Sequence, residues 1–524
     1  MKLRTIVKIA ITSSVVLLCS GFALYSFFRL SAAEGQKDFN LYELVPSTTS
    51  AVFVTDDVLE FVAEVDELTC SKNQQYLYVS KLFSYLKQSL YALSEDTPHG
   101  LSRQMNQMLI SFHEPDNERN QVLYCRLGNG DKELVNRFVR KYISSLYPPK
   151  TFIYKGEEII IYPMADGDFL ACYLTSDFMA LSFQKKLIEN VIDAYKSGKS
   201  LADDSTFTGI RAPKKSAAAA TIYTRMQGMM GWTEFDMKMK DDFIYFSGIT
   251  HDADTCFAFI NQLRQQQSVK GFPGEVLPST AFYFSRQGIT DWVSLLSYGN
   301  AQGQSVPART SEVQNRDKEF SRYLMENAGQ DLVACLFQRE DTLQGAAAVL
   351  SLSVADVTEA ERMLRALVNA ASADEGRRNP RITFCYTVNK AYPIYRLPQT
   401  TLFEQLTSFA EPTLDVYAAF YGGRLLLAPD ADALAHYIRQ LDKGEVLNGA
   451  MAYQTGMDHL SDSYHFMLMA DFDHIFQQSE NHVRFVPDFF LRNADFFCHF
   501  TLFVQFACAD GMVYPNIVLK YKSE

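Results

Sequence analysis

Residues 169–183 read FLACYLTSDFMALSF, 185–198 read KKLIENVIDAYKSG and 199–207 read KSLADDSTF. Near the other end of the chain, residues 415–429 read DVYAAFYGGRLLLAP, 430–444 read DADALAHYIRQLDKG and 445–453 read EVLNGAMAY. At a constant offset and without a gap, Ile192, Gly198 and Leu201 meet Ile438, Gly444 and Leu447. Ile188, Val191 and Tyr195 meet Leu434, Tyr437 and Leu441, and Phe207 meets Tyr453. Each copy is a β-hairpin pattern followed by an amphipathic helix that stops at a glycine, the residue that most cheaply takes the left-handed cap. The chain is therefore expected to be a duplication.

Working outward, the first half opens with LVPSTTSAVFVTDDVLEFV, a proline-marked turn, a strand from about Ala51 to Thr55 and a helix capped by Asp56 or Asp57. Apolar spacing predicts a helix over about 76–93. The runs LISFH and QVLYCRL predict strands, and Asp131 is placed to cap the helix ELVNRFVRKYISSLY. After the repeated block, EFDMKMK and FIYFSGI flank Asp241-Asp242 as a hairpin. KGFPGE, residues 270–275, marks the boundary, and Leu277-Pro278 restarts the pattern begun at Val45-Pro46. In the second half the helix AERMLRALVNA answers the earlier one, with Glu361 to Arg365 set against Asn136 to Arg140. The closing hairpin FFCHFTLFVQFACA and MVYPNIVLKY turns at Asp510-Gly511, where the first half has Asp241-Asp242.

The expected fold is α+β: two tandem related modules, each a largely antiparallel sheet with helices packed on one face, after an N-terminal transmembrane helix. The expected division is 1–30 anchor, 31–40 tether, 41–250 first module, 251–276 helical connector and 277–524 second module. The anchor rests on residues 9–28, an uncharged run of twenty behind Lys2, Arg4 and Lys8. At about 1.5 Å per residue it spans about 30 Å of hydrocarbon, and the positive charges hold the N-terminus in the cytoplasm. Cleavage after Ser31-Ala32-Ala33 and lipidation of Cys19 compete with this reading. The expected location is a bacterial inner membrane, single-pass, with the bulk of the chain in the periplasm.

Composition narrows the partners. Without the three N-terminal cations, 46 Lys and Arg face 61 Asp and Glu, a net of −15. Such a surface repels phosphate backbones, so nucleic acid is excluded as a partner. The expected partners are the inner membrane, through residues 9–28, and an envelope protein. Eight cysteines outside the anchor lie scattered in apolar runs without paired spacing, which reads as buried free thiols.

Leu44-Val45-Pro46, the helix-Gly-x-x-Leu passage ending at Gly198 and Leu201, the Asp241-Asp242 hairpin and the restart at Leu277-Pro278 together resemble a family of uncharacterised, membrane-anchored bacterial envelope proteins built on an internally duplicated domain of unknown function. The resemblance implies an envelope location and a duplicated fold. It supplies no catalytic residues.

No constellation for chemistry emerges. The chain has no GxSxG elbow, HExxH, Walker loop or GxGxxG after a strand. His251-Asp252-Ala253-Asp254 reads as a helix cap before Cys256, Phe259, Ile260 and Leu263. His459, His465, Asp471, Asp473, His474 and His482 are irregularly spaced. Asp56-Asp57 reads as a cap rather than an acid pair, and the C-terminal aromatics from Phe485 to Phe506 as sheet core. No catalytic, cofactor-binding or metal residue is assigned. The expected function is a non-enzymatic envelope interaction or scaffold protein, with a binding module for an apolar or polymeric envelope ligand in the cleft between the halves as the alternative and a hydrolase third.

Overall fold

The computed structural model describes residues 39–522 except 74–104, 114–118, 129–130, 140–146, 165–166, 212–217, 226–230, 251–257, 294, 297–310, 340–344, 375–381, 389, 408–414, 479–485 and 487. The expected anchor, the 76–93 helix and the His251–Asp254 group lie outside these residues. Among the described residues no helix is long and apolar enough to cross a membrane.

The first half supplies ten strands: β1 (Ala51–Thr55), β2 (Met108–Phe112), β3 (Gln121–Arg126), β4 (Lys150–Tyr154), β5 (Glu157–Pro163), β6 (Phe169–Leu174), β7 (Phe178–Ser182), β8 (Ala220–Thr224), β9 (Thr233–Lys240) and β10 (Phe243–Thr250). They pair in the order β4-β5-β6-β7-β3-β2-β1-β8-β9-β10, every neighbour antiparallel. A two-residue strand, β11 (Val269–Lys270), follows.

The second half supplies β12 (Ala281–Gly288), β13 (Ala328–Gln338), β14 (Ala346–Val354), β15 (Ile382–Tyr386), β16 (Ala391–Arg396), β17 (Tyr417–Tyr421), β18 (Arg424–Ala428), β19 (Ser463–Tyr464), β20 (Phe466–Asp471), β21 (Phe500–Ala509) and β22 (Met512–Tyr521). Setting aside β19, which pairs with β11, their order is β15-β16-β17-β18-β14-β13-β12-β20-β21-β22. This is the order of the first half, strand for strand. Even the isolated bridges correspond: Pro46 to Ser200 and Pro278 to Val446.

The two sets join edge to edge, β10 on β22, into one 20-stranded antiparallel sheet. Asp241 takes φ 51° in the first hairpin turn, and Asp510 and Gly511 take 51° and 77° in the second. Ser247 is the fifth residue beyond the first turn and Asn516 the fifth beyond the second, and these two face each other across β10 and β22. The Ser247 hydroxyl donates to Asn516 Oδ1 at 2.9 Å. The local two-fold relating the halves therefore passes through this pair.

Helices cover both faces of the sheet, not one. In the first half, Val52, Leu109, Val122 and Tyr124 pack under the helix Lys185–Ser197 with Ile188, Val191 and Ile192. The alternate residues Ile110, Leu123 and Cys125 pack under Val58 and Val62 of the helix Val58–Glu67 and Val135 of the helix Asp131–Phe138. The second half repeats this. Val333, Cys335 and Phe337 lie under the helix Ala431–Asp442, and Leu332, Ala334 and Leu336 lie on the side of the helices Ser311–Asn327 and Val357–Asp374. A strand covered on both sides must be apolar at successive positions, which is why VLYCRL and VACLF read as unbroken apolar runs. Gly198 (φ 63°) and Gly444 (φ 76°) follow the matching helices in the left-handed region. All seven described cysteines are free thiols, five of them buried.

Candidate functional site

A cavity of about 590 Å³ opens inside the first half where β1 ends and β8 begins, not between the halves. Local chain chemistry sets its walls. Beyond β1, Asp57 caps the helix Val58–Glu67, its Oδ1 accepting from the backbone N–H groups of Leu59 and Glu60 at 3.1 and 3.0 Å. Its neighbour Asp56 accepts from Gln107 Nε2 at 2.5 Å. The helix so started turns Glu60 and Glu64, one turn apart, toward the opening. Burial, together with Glu60 and Glu67, raises the Glu64 carboxyl above the usual range.

The floor comes from sequence-distant pieces. Tyr42 stands on the one-turn helix Leu41–Leu44, which Asn40 caps. Tyr223 and Glu234 face each other in register on β8 and β9. Tyr42 and Tyr223 are each 7% exposed and Glu234 1%. The Arg211 guanidinium lies 4.0 Å from the centre of the Tyr42 ring. Arg126 enters the lining with its Nε donating to the Phe39 carbonyl at 2.6 Å. Burial pushes the Tyr42 phenol up to about 12, with Arg211 opposing and Asp56 and Glu234 adding to the rise. Burial likewise raises Tyr223, helped by Tyr42 and Glu234. Neither hydroxyl bonds to any described group of the protein, although both line the cavity. The floor therefore presents two hydroxyls whose hydrogen-bonding capacity is open to a guest.

Other polar clusters are structural. Asp331, buried, accepts from Arg286 Nε at 3.0 Å and from Arg424 at 3.3 Å, while Arg424 Nε reaches Ser351 Oγ at 2.6 Å. Asp317 accepts from both hydroxyls of Thr400 and Thr401 at 2.7 Å. Ser111 Oγ lies 2.9 Å from His113 Nε2, a spacing suited to a nucleophile and its base. Ser111 has no exposed surface, however, and it shares its hydroxyl with Tyr124 at 3.1 Å. Burial lowers His113 to about 4.

The histidines that the sequence places near one another go to separate partners. His459 meets Tyr245, His465 Nδ1 accepts from the Cys508 N–H, and His474 pairs with Asp471 at 3.4 Å. Among the described residues no group of three or more His, Cys, Asp or Glu is arranged to hold a metal ion. Phe490, Phe496, Phe497 and Phe500 stack around Phe472 and one another, and Phe503 is fully buried. His482 and Phe485 lie outside the described residues. Of the sequence candidates among the described residues, only Asp56 and Asp57 line the cavity.

No family model, no curated protein and no solved structure matches this chain.

Proposed function

We propose that the chain is a membrane-anchored binding protein of the bacterial envelope, tethered through residues 9–28 with its bulk in the periplasm, and that it takes a small polar ligand in the cavity at the ends of β1 and β8 rather than catalysing a reaction. The carrying observation is the pair of largely buried phenols, Tyr42 and Tyr223, on the cavity lining, whose hydroxyls make no hydrogen bond among the described residues. The cavity is of the size that small-molecule sites occupy. Arg126 of its lining holds the Phe39 carbonyl, so a tether of residues 31–38 would keep this residue within about 30 Å of the anchor at full extension.

The test is a thermal-shift screen of the full-length protein in detergent micelles against small molecules of varied charge. A ligand at a hundred times its dissociation constant stabilises by about 2.7 kcal/mol. Ala219→Trp, in the half-buried wall, should abolish the shift. A shift that survives the blocked cavity would place the ligand elsewhere.

A second reading, contact with an envelope protein, is favoured by the outermost hairpins. Phe152 and Ile153 on β4 at one end of the sheet, and Phe384, Tyr386 and Val388 of the β15–β16 hairpin at the other, are exposed. Exposed apolar groups concentrated on terminal strands mark contact surfaces. Pull-down with the full-length protein, and its loss on Phe384→Ser with Tyr386→Ser, separates this reading from the first.

A further inference from the structure

We infer that the cavity's ligand is an organic cation bearing amine groups, bound by the helix wall and the two phenols together. This rests on the binding role proposed above and narrows its chemistry.

Five carboxylates line the cavity, Asp56, Asp57, Glu60, Glu64 and Glu234, against the two guanidiniums Arg126 and Arg211. The guanidiniums are already engaged, Arg126 with a backbone carbonyl and Arg211 with the face of Tyr42. On the helix wall, Glu60 and Glu64 are four residues apart with like charge, an arrangement that costs the free helix stability. The Glu64 carboxyl is raised, as unrelieved repulsion and partial burial require. A guest ammonium between them relieves that repulsion.

Independent of this acidic row, the two phenols on the lining offer oxygens to an N–H donor, and Arg211 already lies over the Tyr42 ring. A bare metal ion fits poorly, since it needs several converging oxygens and no such group exists among the described residues. A space of about 590 Å³ is also far larger than one ion. Several donors spread along a flexible chain match acids on one wall and phenols on the floor.

The probe is spermidine, titrated calorimetrically into the full-length protein in detergent micelles, with magnesium and citrate as controls. Spermidine should bind, weaken as salt rises through the range where surface charges are screened, and lose about tenfold in affinity in Glu60→Gln/Glu64→Gln. The same double variant should unfold at a higher temperature without ligand, because it removes like-charge repulsion. A residue pair that merely supported the fold would lower it. Tyr42→Phe should also weaken binding while the free protein stays folded. Magnesium binding as tightly as spermidine, or an unchanged affinity in the double variant, overturns the inference. Citrate binding in place of spermidine overturns the ligand class but leaves the cavity's binding role standing. Should neither bind, and should no compound in the stability screen discriminate the parent from Ala219→Trp, the binding role itself falls.

Discussion

Asp331 carries a negative charge between Arg286 and Arg424, with side-chain exposures of 8%, 16% and 13%. Burial alone would raise its carboxyl, but the Arg424 and Arg286 guanidiniums and the Ser353 hydroxyl outweigh that and hold it below the usual range. A carboxylate depressed in the folded state stabilises fully above its unfolded value, about pH 4, and loses that contribution as pH falls through the lower folded value. Asp331→Asn should cost about 3–5 kcal/mol in urea denaturation at pH 7, because it strands two buried cations. It should also remove the part of the acid destabilisation seen below pH 4. A loss under 1 kcal/mol would mean that water already solvates the guanidiniums. Little at this scale was legible beforehand. Asp57 as a cap was, because an acid before an apolar helical pattern has one common use. Tyr42, Tyr223 and Glu234 were not, because residues brought together by strand order leave no spacing in the sequence.

Among the elements, two short helices at corresponding places respond oppositely to the same change. In Ser205–Ile210, Gly209 faces open space, and a methyl there would touch nothing within 4 Å. In Met451–Met457, a methyl on Gly456 would sit 2.2 Å from the Phe503 ring. Gly209→Ala should therefore stabilise by about 0.5–1 kcal/mol through helix propensity alone. Gly456→Ala should destabilise by about 1–3 kcal/mol, the usual penalty for overpacking. Thermal denaturation of both variants checks the pair, and equal signs would contradict the packing around Phe503. The hairpins, the helix-glycine units and the Asp-Gly turn could be read from sequence because period and turn chemistry are local. β4 and β16 could not. Lys150–Tyr154 is a terminal strand with four of its five residues exposed, so it lacks the apolar alternation that marks a half-buried strand. The second helical layer was hidden for the opposite reason: strands buried on both faces lose their alternation altogether.

For the whole molecule, the join between halves lies in the sheet and in a core that both share. Phe61, Val65, Met237 and Ile244 of the first half belong to one cluster with Phe282, Trp292 and Phe320 of the second. The sequence placed the join in the connector, whose helix Ala258–Arg264 contributes the fully buried Leu263 and whose β11 is stitched to β19. β10–β22 pairing adds a backbone ladder that no linker composition could announce. Calorimetry of the full-length protein should accordingly show one cooperative transition, and Val518→Pro, which disrupts the strand shared by both halves, should abolish it rather than split it. Two well-resolved transitions in the parent would mean that the halves fold separately.

The Ser247–Asn516 contact on the local two-fold has a further meaning. A lone copy of either half would expose β10 or β22 as a bare edge, and the natural cover is a second copy, so the arrangement is that of a homodimer whose subunits have been fused into one polypeptide. Fusion keeps the partners together at any dilution and frees each from having to match the other. The acidic hollow in one half and the buried arginine–aspartate–arginine cluster in the other are differences that such freedom permits.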